Sequence, residues 1–429
     1  PTSPTDLSIK NIGGGEIQLD FSGASGADEF IVLRDYLEIE YDIDTIGIFS
    51  ENPILISDLN EEETYFIKVV ATNIFGNSDP TEMLGVVPSN EDVYCLIVNG
   101  FDRMAGTNNT FDFIRQHASA LHIAGYSFDS ASNEAVIDGN ISLTDYDYVD
   151  WILGEEGTST SAFTGTEQTL VKSFLESGRF LFVSGSEIGY DLSGQGSTSD
   201  HQFYTNYLKA DYISDAAGSN VYSGYGVNNS TLDDIAGITF DDGSQGTYDV
   251  DWPDGIFPVG DASICAKYDG VNYSTQGGMG VEYVGTFGSG NVDGGLVYLA
   301  VGFETIYPES KRNELMIEIM NLYQSQLVIE NNLPTLMPSS LVINKLYPNP
   351  TNTSFTLKFS SILNETIIIT ITDILGRVVK QSTLTSIQNK SSFTWDGLDQ
   401  KGQPSPTGLY LVSISNGKTV QSRKVTLLK

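Results

Sequence analysis

The sequence predicts a multidomain protein in which two β-sandwiches flank an α/β domain built on a parallel sheet. Residues 1–88 contain short strands in which apolar and polar residues alternate, and residues 92–328 alternate apolar strands with amphipathic helices. Residues 342–429 return to short strands separated by glycine turns. Prolines among small polar residues predict a linker at 329–341. The chain of 429 residues is long enough for each part to form a core of its own.

The charge of the chain changes sign along its length. Residues 341–429 contain 10 Lys or Arg and 4 Asp or Glu, a net charge of +6. The remaining 340 residues contain 11 basic and 52 acidic side chains, a net charge of −41. Such an acidic surface disfavours binding to nucleic acid and to anionic membranes. We therefore expect no nucleic-acid partner. The basic final segment is expected to be recognised by a different partner from the rest.

The cysteines and the ends of the sequence set the expected environment. Cys95 and Cys265 both lie in apolar runs, which predicts buried free thiols and leaves a single disulfide open. The sequence begins without Met and contains neither a signal peptide nor an apolar run long enough to span a bilayer. We therefore expect a mature product or a fragment.

The first part, residues 1–88, has the period-2 pattern of half-buried strands. In EIQLDF, the side chains of Ile17, Leu19 and Phe21 share a face, and DEFIVLR and TYFIKVVATN continue the pattern. The stretch DLNEEETYFIKVVATNIFGNS resembles fibronectin type III domains, with Phe21 where those domains usually have Trp. The resemblance implies a seven-stranded sandwich that serves as a spacer or a binding surface, and we assign no chemistry to it.

The central part, residues 92–328, alternates buried strands with helices. Strands are predicted in VYCLIVNG, YDYVDWILGEE and RFLFVSGSEIG. Helices are predicted in FDFIRQHASALHIAG, which carries His117 and His122, and in GTEQTLVKSFLESG, which Gly178 ends. This alternation predicts a parallel sheet with helices on both faces, to which GGLVYLAVGFETI returns as a further strand or a β extension.

Polar residues follow three of these strands, and ligands of open parallel sheets bind beyond the carboxyl ends of the strands. Asp102 and Arg103 follow the first strand, Glu155 and Glu156 the second, and Glu187 the third. We expect them to converge on one edge, where Arg103 neutralises one or two carboxylates. Because several loops supply it at once, this cluster is the best candidate binding site.

The central part resembles the class I glutamine-amidotransferase-like superfamily, whose arrangement is flavodoxin-like. More narrowly, it resembles a domain found beside fibronectin type III modules in secreted Bacteroidetes proteins. The stretches that carry the resemblance are IVNGFDRMAGTNNTFDFIRQH, GYSFDSASNEAV, WILGEE, FVSGSEIGYDL and VGFETI. The resemblance implies the fold and leaves the chemistry open, since one fold hosts many functions.

Where amidotransferases place a nucleophilic Cys after the third strand, this chain has Ser186. A serine on a sharp strand-to-helix turn can act as a nucleophile if a base lies within hydrogen-bond reach. His201, predicted to lie in a loop, would be the base, with Glu187 or Asp200 as the acid. The alternative is that Ser186 and Glu187 cap the next segment and bind Arg103, and the incomplete GxSxG motif favours it.

Residues 239–255, TFDDGSQGTYDVDWPDG, form an acidic stretch with interspersed aromatic residues. Carboxylates such as Asp249 and Asp251 could bind calcium, the one cofactor that the sequence suggests, although the spacing is not that of an EF-hand. Trp252 and Tyr248 could instead stack on a sugar ring. An ordinary Asp/Gly-rich turn with a half-buried Trp is favoured over both.

The last part, residues 342–429, is predicted to be a compact Ig-like β-sandwich. Its motifs YPNP, DILGRVV, WDG, GLYLV and RKVTLLK occur in the order found in the type A C-terminal sorting domain of the type IX secretion system, which this part resembles. The residues that match the family motifs are Pro348, Asn349, Pro350, Gly376, Arg377, Gly408, Tyr410 and the last residues from Lys424 to Lys429.

That resemblance implies export across a Bacteroidetes outer membrane through a large translocon. A β-barrel shuttle protein would receive residues 342–429, and the domain would then be cleaved off at the cell surface. A free β edge near the chain end could add to the sheet of a partner.

The sequence therefore predicts a secreted cell-surface cargo. Its central domain is predicted to be a non-catalytic module for polysaccharide binding, adhesion or gliding, because the amidotransferase cysteine and a clear triad are missing. The alternative is a serine hydrolase, an esterase or amidase that acts on extracellular glycan through Ser186. A purely structural spacer is a third reading.

Overall fold

The computed structural model of the chain divides into two compact units, residues 1–333 and 334–429. The residues that it describes are 1–35, 43–60, 63–90, 92–104, 109–157, 160–219, 221–330, 341–347, 349–352, 354–360, 366–385, 390–417 and 420–428. No helix among these residues is long and apolar enough to cross a membrane.

The first eight strands form two facing sheets. They are β1 (Pro4–Gly13), β2 (Glu16–Gly23), β3 (Glu29–Asp35), β4 (Ile43–Phe49), β5 (Ile54–Ile56), β6 (Tyr65–Asn73), β7 (Gly76–Asn77) and β8 (Leu84–Val86). One sheet contains β1, β2 and β5, and the other contains β4, β3, β6 and β7, with β8 also paired to β6. Ile17, Leu19 and Phe21 of β2 are buried between the sheets, as the period-2 pattern predicted.

The described residues of the central part add twelve strands and six α-helices. They are β9 (Cys95–Asn99), α1 (Ile114–Ile123), β10 (Asp129–Ser132), α2 (Asn133–Ile137), β11 (Tyr148–Gly154), α3 (Gly165–Glu176), β12 (Phe180–Gly185), α4 (Thr198–Asn206), β13 (Ala210–Ser214), β14 (Ser223–Gly226), β15 (Ile238–Phe240), β16 (Gly255–Pro258), β17 (Ser263–Tyr268), α5 (Tyr273–Gln276), β18 (Gly280–Thr286), β19 (Asp293–Leu299), β20 (Ile306–Tyr307) and α6 (Glu309–Glu330). Helix α6 extends two residues past the predicted boundary at 328, and the predicted linker residues 331–340 lie outside the described residues.

Five of these strands form the predicted parallel sheet. Their spatial order is β10-β9-β11-β12-β19, and every neighbouring pair is parallel. Numbered along the chain, this order is 2-1-3-4-5. Strand β18 then pairs antiparallel with β19 and begins a β extension through β17, β14, β15 and β20.

Both faces of the parallel sheet are covered. On β9, Cys95 and Ile97 belong to a core that includes residues of α1 and α6, whereas Leu96 and Val98 belong to a second core with residues of α2, α3 and α4. This placement explains why VYCLIVNG is apolar throughout. Cys95 and Cys265 are free and buried, as predicted.

The N-terminal sheet and the parallel sheet are continuous. Strand β1 pairs antiparallel with β10, where Ser8 faces Ala131 and Ile9 faces Ser130. Asp129 of β10 accepts hydrogen bonds from the backbone N–H of Asn11 at 2.8 Å and from its side chain at 2.9 Å. Thirteen of the described strands therefore form one sheet. The predicted division between residues 88 and 92 stays a prediction.

The second unit contains two sheets around a core of its own. Its strands are β21 (Val342–Tyr347), β22 (Thr351–Asn352), β23 (Phe355–Ser360), β24 (Thr366–Asp373), β25 (Val378–Thr385), β26 (Lys390–Trp395), β27 (Gly408–Ser415) and β28 (Val420–Leu428). One sheet has the order β21-β23-β26 and the other β22-β28-β27-β24-β25. Side chains from both sheets, including Trp395 and Tyr410, share the core, which is the layering of a sandwich.

Candidate functional site

A crevice is expected where β9 and β11 lie side by side, because the strand order reverses there. In open parallel sheets, ligands bind at this switch point, beyond the carboxyl ends of the strands. Residues 100–103 leave β9 and residues 155–157 leave β11 at this place. The two segments are joined at their start by a hydrogen bond of 3.0 Å from Gly100 N to Ile152 O.

Arg103 connects the loops that follow all three predicted strands. Its Nη1 donates to the backbone oxygen of Glu155 at 2.6 Å and to Glu187 Oε2 at 3.0 Å. The backbone N–H groups of Asp102 and Arg103 both donate to Glu156 Oε1, and Thr160 donates to Glu156 Oε2. The structure thus brings the predicted cluster together, and the ion pair of Arg103 is with Glu187.

Glu155 is the carboxyl group of this cluster with the most unusual environment. Its side chain is buried, and its Oε2 accepts no hydrogen bond within the described residues. Burial raises the pKa of Glu155 to about 8, and the charges of Glu187, Asp251 and Glu304 add to the rise while Arg103 opposes it. Glu155 is therefore largely protonated at neutral pH and can donate as well as accept a hydrogen bond.

Further carboxylates surround Asp102 on the β10 side of the crevice. Asn133 donates to Asp102 Oδ2 and to Glu167 Oε1, both at 3.1 Å. Burial, followed by the charges of Glu134 and Glu156, raises the pKa of Asp102 to about 7. Burial also raises the pKa of Glu82 well above its ordinary value, with Asp102 and Glu134 contributing. This edge of the sheet is strongly acidic.

The acidic stretch 239–255 lies next to the crevice. The charge of Asp251 raises the pKa of Glu155. The pKa of Asp251 is itself raised, because burial and the charge of Asp249 outweigh the hydrogen bond with Trp252 and the charge of Arg103. These groups are therefore close enough to interact. Trp252 is 51% exposed, so about half of this aromatic residue is open to solvent.

Tyr248 corrects one expectation, since it is not available to stack on a sugar. It is fully buried, and its hydroxyl donates to Glu304 Oε1. Its ring contacts Phe101 and Phe113, with centroids 5.4 Å apart in each pair. In the sequence both Tyr248 and Trp252 adjoin Asp residues, so the pattern did not show that Tyr248 is buried and Trp252 exposed.

Two carboxylates of the stretch, those of Asp241 and Asp249, already accept hydrogen bonds from the protein. Asp241 accepts from Gln245 N, Thr247 N and Thr247 Oγ1, each at 2.8 Å. Tyr222 donates to Asp249 Oδ1 at 2.6 Å. Over the part of the chain that the structure describes, no three His, Cys, Asp or Glu side chains are arranged to hold a metal ion. Calcium binding stays a prediction without structural support.

The residues predicted as a catalytic triad have separate hydrogen-bond partners. Ser186 is buried, its Oγ donates to the backbone oxygen of Gly154 at 3.4 Å, and its N–H donates to the same oxygen at 2.8 Å. His201, expected in a loop, is an exposed residue of helix α4, and Asp200 forms the capping box of that helix with Ser197. Among the described residues, no hydrogen bond joins Ser186 to a histidine.

A buried charged network joins α1, β11 and the segment after β19, and the sequence analysis missed it. His117 Nδ1 lies 2.9 Å from Asp150 Oδ2, and His117 Nε2 lies 3.2 Å from Glu304 Oε2, with all three side chains inaccessible to solvent. Burial lowers the pKa of His117, but the two carboxylates outweigh it and raise the pKa to about 9. The available signal was Asp150 in the middle of the otherwise apolar strand YVDWILG.

The residues that match the sorting motifs have structural roles in the second unit. Asn349 holds β28, because its side chain donates to Lys424 O at 2.9 Å and accepts from Thr426 N at 3.0 Å. Pro350 is exposed and precedes β22, and Pro348 and Lys429 lie outside the described residues.

The other motif residues lie at a turn and on β27. Gly376 has a φ of +77° in the turn between β24 and β25, a conformation that favours glycine. Arg377 Nε lies 2.6 Å from Asp373 Oδ2. Gly408 begins β27, and Tyr410 is buried with its hydroxyl donating to Pro406 O at 2.6 Å.

Comparison with known proteins identifies the last part of the chain. Residues 345–427 match the family model of the secretion system C-terminal sorting domain. This domain indicates export by the type IX secretion system to the cell surface or the extracellular space, and it implies an interaction with that machinery. No curated protein matches the chain.

Solved structures resemble parts of the chain. PorZ of Porphyromonas gingivalis, an essential bacterial surface component of the type-IX secretion system, is 20% identical over 20% of this chain and 11% of its own, with a TM-score of 0.16. A domain of human fibronectin type III domain containing protein 3 is 20% identical over 21% of this chain and 88% of its own, with a TM-score of 0.20. FlgD from Xanthomonas campestris is 24% identical over 20% of this chain and 64% of its own, with a TM-score of 0.16. At these TM-scores, the likenesses carry no argument about function.

Proposed function

We propose that this type IX cargo binds an extracellular polysaccharide at the β9–β11 crevice and performs no chemistry on it. The observation that carries the proposal is Trp252, an aromatic side chain that is 51% exposed and follows Asp251, whose charge acts on Glu155 and is stabilised by Arg103. An exposed aromatic face next to groups that donate and accept hydrogen bonds suits a sugar ring, whose faces are apolar and whose rim is hydroxylated.

The electrostatics favour a neutral polysaccharide. The first 340 residues carry a net charge of −41, which repels anionic polymers. The protonated forms of Glu155 and Asp102, whose pKa values are about 8 and about 7, offer O–H donors, and the neighbouring carboxylates offer acceptors. Hydroxyl groups can pair with both kinds of group at once.

The scaffold supports a binding role. The strand order 2-1-3-4-5 is that of flavodoxin-like sheets, whose ligands bind at the switch point, and we infer that the α/β part is a flavodoxin-like domain. The fibronectin-like sheet continues that sheet through β1 and β10, so we expect it to hold the binding part rigidly. The buried Ser186, whose hydroxyl bonds to Gly154, gives no support to the serine hydrolase alternative.

The binding test is a panel of neutral and anionic polysaccharides in affinity electrophoresis of the full chain. We expect at least one neutral polysaccharide to retard the wild type and Trp252→Ala to weaken that retardation by about tenfold or more. Phe75→Ala is the matched control, because Phe75 is an aromatic residue 89% exposed and lies on the turn between β6 and β7. Equal effects of both substitutions, or no retardation by any neutral polysaccharide, would reject the crevice as a glycan site.

We further propose that residues 342–429 are received by a β-barrel shuttle protein of the export machinery and removed at the cell surface. The +6 charge of residues 341–429 against the −41 of the rest supports a separate partner for this part. A chain that ends at Asn332 should stay inside the cell. Its normal appearance at the surface would contradict the proposal.

A further inference from the structure

The five-stranded sheet of the sorting domain has an apolar surface at one end of its outer face. Val378 of β25 and Leu411 of β27 are both direct partners of Thr372 on β24, and Leu411 is in turn the partner of Lys424 on β28. Directly paired residues share a face of a sheet. Val378 is 59% exposed, Leu411 is 38% exposed, and Leu409 on the same face is 43% exposed.

The turn that follows β24 adds two more apolar side chains. Ile374 is 76% exposed and Leu375 is 72% exposed. The turn is well ordered by hydrogen bonds: Asp373 Oδ1 accepts from Leu375 N and Arg377 N, each at 3.0 Å, and Gly376 N donates to Asp373 O at 2.9 Å. These hydrogen bonds fix the backbone of the turn, which lowers the backbone entropy lost when a partner binds.

The next rows of the same face are more polar. The neighbouring row consists of Gln381, Thr370, Ser413 and Ser422, which are paired strand by strand. Ser413 and Ser422 hydrogen bond to each other at 2.7 Å. Ile368, 38% exposed, lies one row further and is paired with Thr383 and Ser415. Val420 of β28, 64% exposed, is the partner of Ser415 in the same row. Among the described residues, more exposed apolar side chains lie at the end of the sheet near the turn than at this end, and so large an apolar surface is the pattern of an interaction site.

We propose that the tip patch, formed by Ile374, Leu375, Val378, Leu409 and Leu411, is the surface by which the sorting domain docks on its receptor in the type IX machinery. Arg377 and Lys424 lie at its rim and are exposed, and residues 341–429 carry a net charge of +6. The receptor site that fits is an apolar depression rimmed by carboxylates. The inference rests on export through the sorting domain and is independent of glycan binding.

The experiment measures the full chain, carrying a host inner-membrane export signal, at the surface and in the periplasm of a bacterium with a working type IX system. Ile374→Ser combined with Leu375→Ser is expected to reduce the amount at the surface by about tenfold or more, with accumulation in the periplasm. Leu411→Ser is expected to act in the same direction. Ile368→Ser is the matched control, because Ile368 and Leu411 have equal exposure on the same face, and it should be exported normally.

Folding is checked separately by thermal unfolding and protease resistance of the purified full chains. The Ile374 and Leu375 side chains point into solvent, so the double variant should unfold as the wild type does, and Ile374→Val with Leu375→Met should restore export. Normal export of the double variant would overturn the proposal, as would equal loss in the Ile368→Ser control. A wild-type dimer that the double variant dissociates without any loss of export would assign the tip patch to self-association and also overturn it.

The chain that ends at Asn332 tests export through the sorting domain separately from docking through the tip patch. If it is retained and the tip variants are exported, the sorting domain acts through another surface. If it reaches the surface as the wild type does, export through the sorting domain itself is wrong.

Discussion

Arg103 Nη1 lies 3.0 Å from Glu187 Oε2, and this ion pair joins the loop after β9 to the loop after β12. The same nitrogen donates to the backbone oxygen of Glu155, which follows β11 between them. One guanidinium group thus holds three loops at the edge of the sheet, where the neighbouring side chains are mostly carboxylates.

Removal of this guanidinium should destabilise the first unit strongly. Arg103→Met leaves Glu187 buried without its cation, and we expect the free energy of unfolding to fall by about 3–5 kcal/mol. Urea unfolding at pH 8 measures the change. Lys311→Met is the control, because Lys311 and Glu314 form a more exposed pair at 2.8 Å, and it should cost at most about 1 kcal/mol. Equal costs for the two substitutions would show that Arg103 does not hold the loops together.

Glu155→Gln should stabilise the protein increasingly as the pH rises. In the wild type, a pKa of about 8, above the ordinary value of 4.5, means that the folded state resists losing this proton while the unfolded state loses it readily. Wild-type stability relative to the variant should therefore fall between pH 4.5 and pH 8 and level off above that. Urea unfolding of both proteins across this range measures the difference, and a constant difference would refute the raised pKa.

Glu156→Gln gives a useful contrast at the adjacent position. Glu156 Oε1 accepts the N–H groups of Asp102 and Arg103, so its charge strengthens two backbone hydrogen bonds. Burial nevertheless raises the pKa of Glu156, while these hydrogen bonds, that of Thr160 and the charge of Arg103 oppose the rise. We therefore expect Glu156→Gln to stabilise the protein at pH 8 by less than Glu155→Gln does, because hydrogen bonds support the charge of Glu156, whereas Glu155 Oε2 accepts none within the described residues. The same urea series compares the two substitutions, and an equal or larger gain for Glu156→Gln would contradict this assignment.

His117 should keep its proton through neutral pH. Its pKa of about 9 lies above the ordinary value of 6.5, so its contribution to stability is complete below pH 6.5 and is lost as the pH rises through about 9. NMR of ¹⁵N-histidine-labelled protein should show one imidazole that stays protonated at pH 7.5. His122 is the internal contrast, since burial lowers its pKa and it should lose its proton below pH 6.5. Titration of His117 below pH 7 would refute the ion-paired network.

The sequence predicted those features that depend on local pattern. Continuous apolar runs marked β9, β11 and β12, because both of their faces are buried, and the polar residues after them marked the loops that Arg103 joins. Strand β10, with the sequence DSAS, has no such run and was not predicted, although it is buried throughout. The positive φ of Gly178 just after α3 likewise agrees with the helix end predicted there.

Features that depend on distant pairing could not be predicted in the same way. The pairing of β1 with β10 joins residues more than 120 positions apart. In the sequence of β1, the apolar Leu7 and Ile9 alternate with polar residues, as in any strand with one buried face. His117 looked like a core residue of α1 because its partners, Asp150 and Glu304, are 33 and 187 positions away. The order of Ser186 and His201 along the chain likewise says nothing about their distance in space.

Trp252 should report ligand binding by its fluorescence. Of the three tryptophans, Trp151 and Trp395 are buried and Trp252 is 51% exposed. Acrylamide should therefore quench Trp252 selectively, and a bound neutral polysaccharide should protect it. Trp252→Phe removes the quenchable emission and keeps an aromatic face, so it should retain binding in affinity electrophoresis. Binding that leaves the acrylamide quenching of the wild type unchanged would place the glycan elsewhere.

Ser186 should not react with a fluorophosphonate probe. An activated serine needs a base that removes its proton, and the Ser186 hydroxyl instead donates to Gly154 O in a buried position while His201 is exposed on α4. Intact-mass analysis of the probe-treated wild type and Ser186→Ala should show no adduct on either protein, with a known serine hydrolase labelled in the same reaction as the positive control. Ser186→Ala should also bind polysaccharide as the wild type does, because the Ser186 side chain is buried. A stoichiometric adduct on the wild type alone would make this protein a serine hydrolase and would replace the binding proposal.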